Sequence, residues 1–172
     1  MSDHCRNTGI KLGGHIKVLK SSDIAKRQLA LGSIGATCAT AAECELMARS
    51  GVTGILLTRQ PTSKNNINRT IALARRDPLF GTVVDDPLVA NWLQEAADDE
   101  GVKVMVAVDV YAGLTRHGIA PGESAVELGK TVSASKNLKL IGFMGYSGTG
   151  SHTHGWEERR RPCIPTSTSR FR

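Results

Sequence analysis

The sequence predicts a parallel α/β fold in which helices pack on a central sheet. Short runs of apolar and β-branched residues alternate with segments whose apolar residues recur at helical spacing, an order typical of βα repeats. Hydrophobic residues make up 40% of the 172 residues but aromatic residues only 4%, so Leu, Ile, Val and Ala must build most of the core. That composition is typical of helix-covered parallel sheets, and the length is enough for one domain.

The alternating pattern predicts six strands. They are expected at residues 15–18, 34–39, 54–58, 80–84, 103–110 and 138–145. Ser21, Ser22 and Asp23 offer N-caps for the first helix between strands, and Gly32 ends it.

The four later helices have start signals or apolar stripes of their own. Thr40 and Glu43 form a capping box ahead of the second helix, and Asp86 caps the fourth with Pro87 at its first position. Apolar spacing alone marks the third and fifth helices, around residues 67–74 and 122–132.

Two architectures fit six such units, a doubly wound sheet and a barrel, because right-handed crossovers make consecutive strands parallel in both. No GxGxxG motif follows the first strand and no GxxxxGK[ST] motif occurs, which argues against the common nucleotide-binding sheets. A closed barrel needs eight strands. With six predicted strands, we do not expect an intact barrel in this sequence.

The positive charge is concentrated at one end of the chain. The formal net charge is +6, but residues 159–172 hold five arginines and no acid, which leaves about +1 for the rest. A basic, solvated and disordered tail is therefore expected, and nucleic acid is not an expected partner. No apolar run is long enough to cross a bilayer, so no membrane partner is expected either.

The four cysteines form no CxxC pair and match no zinc pattern. Cys38 and Cys44 lie in apolar surroundings and are predicted to be core residues. The simplest interpretation is a reduced, cytoplasmic setting without a metal site.

Lys17 is the candidate nucleophile. It lies at the predicted end of the first strand, just before a helix, where a βα fold can present an amine for covalent attachment of a carbonyl compound. From position alone, a solvated surface lysine is the alternative interpretation.

Several motifs, in order and at consistent spacing, resemble a single enzyme family. They are His15-x-Lys17 with Lys20, residues 35–38 with 43–47, residues 55–60 ending in Gln60, Val108-Asp109-Val110 with residues 113–118, residues 144–148 around Tyr146, and Ser151-His152 with residues 156–160. Together they resemble the D-threonine aldolases and D-serine dehydratases, and most of all the 3-hydroxy-D-aspartate aldolase branch.

The resemblance implies a partial (β/α) barrel of the alanine racemase N-terminal type, with about six βα units over residues 13–158 and the tail over 159–172. It also implies pyridoxal 5'-phosphate as cofactor. By position, Lys17 would bind the cofactor covalently and act in catalysis, Arg116 would face the phenolic oxygen, Tyr146 would line the ring, and Gln60 would lie nearby.

Other interpretations of the same residues stay open. Arg116 is equally compatible with a loop arginine paired with Asp109 or Glu123, and Tyr146 with a core tyrosine. His15 is expected to be buried and hydrogen-bonded.

The sequence also departs from the family pattern. Gly13-Gly14 replaces Arg-Pro, Val18-Leu19 replaces Thr-His, and Tyr111 replaces an aspartate. The phosphate-binding loops and the ligands of the divalent metal used in the family would lie beyond this chain, so no metal ligand is expected in it.

The expected function is a pyridoxal-phosphate lyase acting on D-configured β-hydroxy amino acids, in a truncated form with little activity. The alternatives are a cofactor-binding module without turnover, an ammonia-lyase of the D-serine dehydratase type, and a non-enzyme that acts by interaction. Because six strands leave open edges, self-association or a homo-oligomer is expected.

Overall fold

A computed structural model describes residues 1–113 and 116–160, apart from the Thr149 side chain. The strands are β1 (Gly13–His15), β2 (Gly35–Cys38), β3 (Ile55–Leu57), β4 (Gly81–Val84), β5 (Val104–Asp109) and β6 (Leu138–Met144). The helices are α1 (Ser2–Thr8), α2 (Ser22–Ala30), α3 (Ala41–Arg49), α4 (Lys64–Arg76), α5 (Pro87–Asp99), α6 (Glu123–Ala134) and α7 (Gly148–His152). Residues 156–160 form a further helical turn.

All six strands are parallel, and their order in the sheet is their order in the chain, β1-β2-β3-β4-β5-β6. A doubly wound sheet would reverse direction at a switch point. Here each successive strand is instead added to the same edge of the growing sheet, as in a barrel. The structure therefore confirms the partial barrel and excludes the doubly wound alternative.

The two faces of the sheet differ in what covers them. Val104, Val106 and Val108 are fully buried in the core that the helices form with the sheet, and we call this side the helix-covered face. Alternate residues point the other way. There, Leu56, Met105 and Ile141 line an open apolar cavity of about 440 Å³, and we call this side the concave face.

The first strand lies two residues earlier than predicted. β1 pairs Gly13 with Gly35 and ends at His15, and the backbone N–H of Lys20 then donates to the Ile16 carbonyl across 2.7 Å to close a turn. The two glycines hid this strand, since glycine is a poor strand former. Gly35 is required there, because a Cβ at this position would lie 1.9 Å from the Gly54 carbonyl oxygen.

The predicted helix starts are confirmed by their caps. The Thr40 hydroxyl accepts from the Glu43 backbone N–H at 3.2 Å, and the Glu43 carboxylate accepts from the Ala39 N–H at 2.8 Å. Asp86 accepts from the Leu88 N–H at 2.7 Å. The α1 helix was not predicted, and it buries no residue.

The predicted tail, residues 159–172, is described only in its first two residues. Arg159 and Arg160 lie in the helical turn at 156–160, whereas residues 161–172 lie outside the described residues. No helix in the described part of the chain is both long enough and apolar enough to cross a membrane.

Candidate functional site

The turn after β1 places Lys17 at the carboxyl end of the sheet. Ile16 is buried and anchors the turn, while Lys17 is exposed and its backbone N–H donates to His15 Nδ1 at 3.2 Å. Lys20 closes the turn with a φ of 47°, in the left-handed region that lysine rarely adopts. Lys17 was predicted to lie within the first strand, at residues 15–18, and it lies instead in the turn that follows β1.

His15 is held as a neutral donor on one side of the site. Because Nδ1 accepts from the Lys17 N–H, the ring proton lies on Nε2, which is 3.5 Å from Thr58 Oγ1. The Thr58 hydroxyl in turn donates to the Cys38 carbonyl at 3.0 Å. Desolvation of the ring lowers the pKa of His15, and the charge of Lys17 lowers it further, against the opposing charge of Glu43. The residue as a whole is exposed, so the expectation of a buried histidine was wrong.

The Tyr146 ring connects the two ends of the site. Lys17 Nζ and Arg116 Cζ each lie 5.7 Å from the ring centroid, within the range of a cation–π contact. Ser151 Oγ donates to the Gly148 carbonyl at 2.8 Å, so the Tyr146 hydroxyl is the donor in its 3.2 Å contact with Ser151. With 38% of the residue exposed, Tyr146 is not a core tyrosine.

Arg116 is held through a histidine rather than by a direct carboxylate contact. Its guanidinium donates to His117 Nε2 at 2.7 Å, and His117 Nδ1 lies 2.5 Å from Asp109 Oδ2. A guanidinium can only donate, so Nε2 is the acceptor and the His117 proton lies on Nδ1, facing Asp109. The sequence had suggested that Arg116 could pair with Asp109 directly, and His117 instead stands between them.

Gln60 connects the ends of β3, β4 and β5 through hydrogen bonds. Its Nε2 donates to Asp85 Oδ2 at 3.0 Å and to Asp109 Oδ2 at 2.8 Å, and Asp85 Oδ2 also accepts from the Gly118 N–H at 2.9 Å. Both amide protons are used in this way, so Gln60 can offer a ligand only its carbonyl oxygen.

Asp109 is the most deeply buried charged group of the site. The residue is completely buried, and its Oδ1 has no hydrogen-bond partner. Burial raises the pKa of the carboxyl, and the neighbouring Asp85 raises it too, while His117 and Gln60 oppose the rise.

These side chains surround a cavity of about 460 Å³ at the carboxyl ends of the strands. Among the described residues, its lining includes Lys17, Arg59 and Arg116 but no carboxylate. Ligand sites of βα barrels lie at this end of the sheet, and the excess of positive charge suits an anionic ligand.

The structure brings the predicted residues together: Lys17, Gln60 and Arg116 line one cavity, and Tyr146 contacts two of them. The sequence analysis assigned no role to Asp85 or His117, although Asp85 directly follows β4 and His117 directly follows Arg116. Among the described residues, no group of three or more His, Cys, Asp or Glu side chains could hold a metal ion.

Known proteins show the same organisation. The family model described as "Alanine racemase, N-terminal domain" matches residues 1–163. The chain belongs to this family. Membership confirms the resemblance inferred from the motifs and agrees with the sequential order of the six parallel strands.

Individual members of the alanine racemase N-terminal family sharpen the comparison. The chain is 30% identical over 161 residues to 3-hydroxy-D-aspartate aldolase of Paracoccus denitrificans (strain Pd 1222), covering 93% of this chain and 42% of that protein. It is 24% identical to D-threo-3-hydroxyaspartate dehydratase of Delftia sp. (strain HT23), over 82% of this chain and 37% of that protein.

Among solved structures, D-threonine aldolase from Filomicrobium marinum superposes with a TM-score of 0.93 at 31% identity, over 96% of this chain and 45% of that one. The chain therefore spans less than half the length of the relatives it matches.

Proposed function

We propose that this chain carries the cofactor-attachment half of a pyridoxal-phosphate lyase that acts on D-configured β-hydroxy amino acids. The observation that carries the proposal is the placement of Lys17 and Arg116 at equal distance from the Tyr146 ring, at the carboxyl ends of the strands. The aldolase relatives support the substrate class.

The cavity fits the cofactor in charge and in donor chemistry. Lys17 is exposed at its edge and makes no ion pair with any described carboxylate, so its amine is accessible to a carbonyl group. Arg116, held by His117 and Asp109, offers its remaining N–H groups to an anionic oxygen. When bound, the cofactor supplies an electron sink for breaking a bond to the substrate α-carbon.

The chain's own residues then have separate roles in this proposal. Lys17 would hold the cofactor and yield it to the substrate amine, and Arg116 would stabilise negative charge on the phenolic oxygen. The Tyr146 ring lies between their two cations, and Gln60 keeps Asp85 and Asp109 together behind the cavity.

A second candidate is a module that binds the cofactor without turning substrate over. It requires only attachment of the cofactor at Lys17 in the cavity. The dehydratase relative keeps a further alternative for the lyase, β-elimination of the hydroxyl group as water, followed by hydrolysis of the resulting imine to release ammonia. For either candidate we propose a reducing cytoplasmic setting, which the free thiols of Cys5, Cys38 and Cys44 support.

Two lysines in one turn provide a matched test. Pyridoxal phosphate is added to the wild-type chain and to the Lys17→Ala and Lys20→Ala variants, followed by borohydride reduction and peptide mapping. We expect one equivalent of label on Lys17, retained in Lys20→Ala and lost in Lys17→Ala. Label spread over many lysines, or located on Lys20, would contradict the proposal.

Turnover separates the two candidates. The labelled fraction is first established, and glycine release from D-threonine and from 3-hydroxy-D-aspartate is then measured with added manganese. Glycine release that disappears in Lys17→Ala supports the lyase, whereas specific labelling without glycine release supports the binding module.

A further inference from the structure

We propose that Arg59 selects substrates that carry a second carboxylate, and so favours hydroxyaspartate-type amino acids over D-threonine. This inference rests on the proposed function of the same cavity. It assigns a specificity-determining role to a residue for which the motifs gave no role.

Arg59 lies at the mouth of the cavity in a fixed position along the chain. It follows the end of β3, between Thr58 and Gln60, and all three residues line the cavity. Thr58 is held by the Cys38 carbonyl and Gln60 by Asp85 and Asp109, so the backbone on both sides of Arg59 is anchored.

The side chain of Arg59 makes no hydrogen bond or ion pair with any described residue. Two arginines on α4 are paired, in contrast. Arg69 forms a two-point pair with Glu45 at 2.6 and 3.0 Å, and Arg75 pairs with Glu100. Arg59 is thus an exposed guanidinium that lines a cavity containing no carboxylate.

The other two cations of the cavity already have partners. Lys17 and Arg116 both contact the Tyr146 ring, and under the proposed function both are used by the cofactor. The remaining charge of Arg59 suits an anionic group on the substrate side chain. A guanidinium binds a carboxylate through two parallel N–H···O bonds, whereas the methyl group of D-threonine offers it no acceptor.

The test compares ligands that differ only in the second carboxylate. D-Aspartate and D-alanine lack the β-hydroxyl group, so they bind without cleavage. Each is titrated into the cofactor-loaded wild-type chain and the Arg59→Ala, Arg59→Lys and Arg76→Ala variants, with cofactor absorbance as the readout. Arg76 is the control because it is exposed at the end of α4 and lies outside the cavity lining.

We expect the wild-type chain and Arg76→Ala to prefer D-aspartate over D-alanine by about tenfold or more, as charge-assisted hydrogen bonds allow. In Arg59→Ala the preference should fall close to one, with unchanged affinity for D-alanine and for the cofactor. Arg59→Lys should keep part of the preference, because it keeps the charge but loses the two-point geometry.

Three results would overturn the role of Arg59. Equal weakening of both ligands would place Arg59 on the α-carboxylate, and weaker cofactor uptake would place it on the cofactor phosphate. An unchanged D-aspartate preference would show that Arg59 does not contact the substrate.

If the proposed function itself is wrong, the wild-type chain will not take up the cofactor, and this result is distinct from the three above. In that case the Arg59 side-chain N–H signal, assigned by its loss in Arg59→Ala, is followed by NMR in the cofactor-free chain. A shift with D-aspartate but not with D-alanine supports the inference, and no shift overturns it.

Discussion

The two faces of the sheet are built from the same strands but differ in completeness. On the helix-covered face, side chains such as Leu57 and Val106 are buried by α-helices that follow each strand. On the concave face, Leu56 and Met105 are only half-buried, and Ile141 is 45% exposed. Each βα unit can therefore bury the helix-covered face of its own strand with its own helix. The interior of a barrel, in contrast, is buried only when all strands are present.

The functional residues lie where the two faces meet, at the carboxyl ends of the strands. Their hydrogen-bonded network spans β3, β4 and β5 and the loop after β5, and none of its contacts requires a further strand. This part of the candidate site is therefore formed within an otherwise open barrel.

The largest expected difference between the faces is in the free energy of unfolding lost when two adjacent leucines of β3 are replaced by alanine. Leu57 is 3% exposed on the helix-covered face, whereas Leu56 is half-buried on the concave face. Leu57→Ala should lower the free energy of unfolding by about 2–5 kcal/mol, and Leu56→Ala by clearly less. Urea unfolding of both variants measures this. Equal losses would mean that the concave face is packed in solution.

The open face and the edge strands β1 and β6 should also drive association of the isolated chain. Apolar patches and unpaired strand edges favour contacts between copies. We expect size-exclusion with light scattering to give a mass above that of one chain, and Ile141→Lys to shift it towards the monomer. The exposed control Val126→Lys, on α6, should leave the mass unchanged. A monodisperse wild-type monomer would disprove this expectation.

Within the site, Arg116 should have a large effect on ligand binding and little on folding. Loss of a charge-assisted hydrogen bond to the phenolic oxygen should weaken cofactor binding by about 1.5–3 kcal/mol in Arg116→Ala. Arg160→Ala is the control, since Arg160 is exposed and its ion pair with Glu157, at 4.0 Å, is a weak surface contact. Absorbance titration with pyridoxal phosphate measures both. Equal effects would place the loop after β5 away from the cofactor.

Features that depend on local contacts could be predicted from the sequence, whereas features that depend on distant contacts could not. The caps at Thr40 and Asp86 and the apolar run of β5 depend on neighbouring residues, and they were predicted correctly. β1 was displaced because two glycines look unlike a strand until Gly35 is placed beside them.

The candidate site shows the same limit. Lys17, Gln60, Arg116 and Tyr146 were predicted from the resemblance of their motifs to a known family, and the structure brings them close together. Gln60 donates hydrogen bonds to Asp85 and to Asp109, which lie 25 and 49 positions further along the chain. No local sequence pattern encodes contacts over such separations. His117 was not predicted because its contact with Asp109, eight positions earlier in the chain, belongs to no local pattern.

The smallest expected effect is a pH dependence of stability that originates at Asp109. Because burial raises the pKa of this carboxyl in the folded chain, the native state holds its proton to higher pH than the unfolded state does. Its contribution to stability is therefore greatest at low pH and is lost as the pH rises from about 4, the unfolded value, through the higher folded pKa. Asp85 and His117 also face this group, and His117 opposes the rise in the pKa of Asp109.

The Asp109→Asn variant isolates this contribution. An amide cannot ionise, so the stability of the variant relative to the wild-type chain should increase as the pH is raised from about 4 towards neutrality. Urea unfolding at several pH values measures the difference, and Asp98→Asn, which alters an exposed pair with Lys136, is the control. If Asp109→Asn instead loses stability relative to the wild-type chain as the pH rises, Asp109 is stabilised as a carboxylate, and its pairing with His117 outweighs its burial.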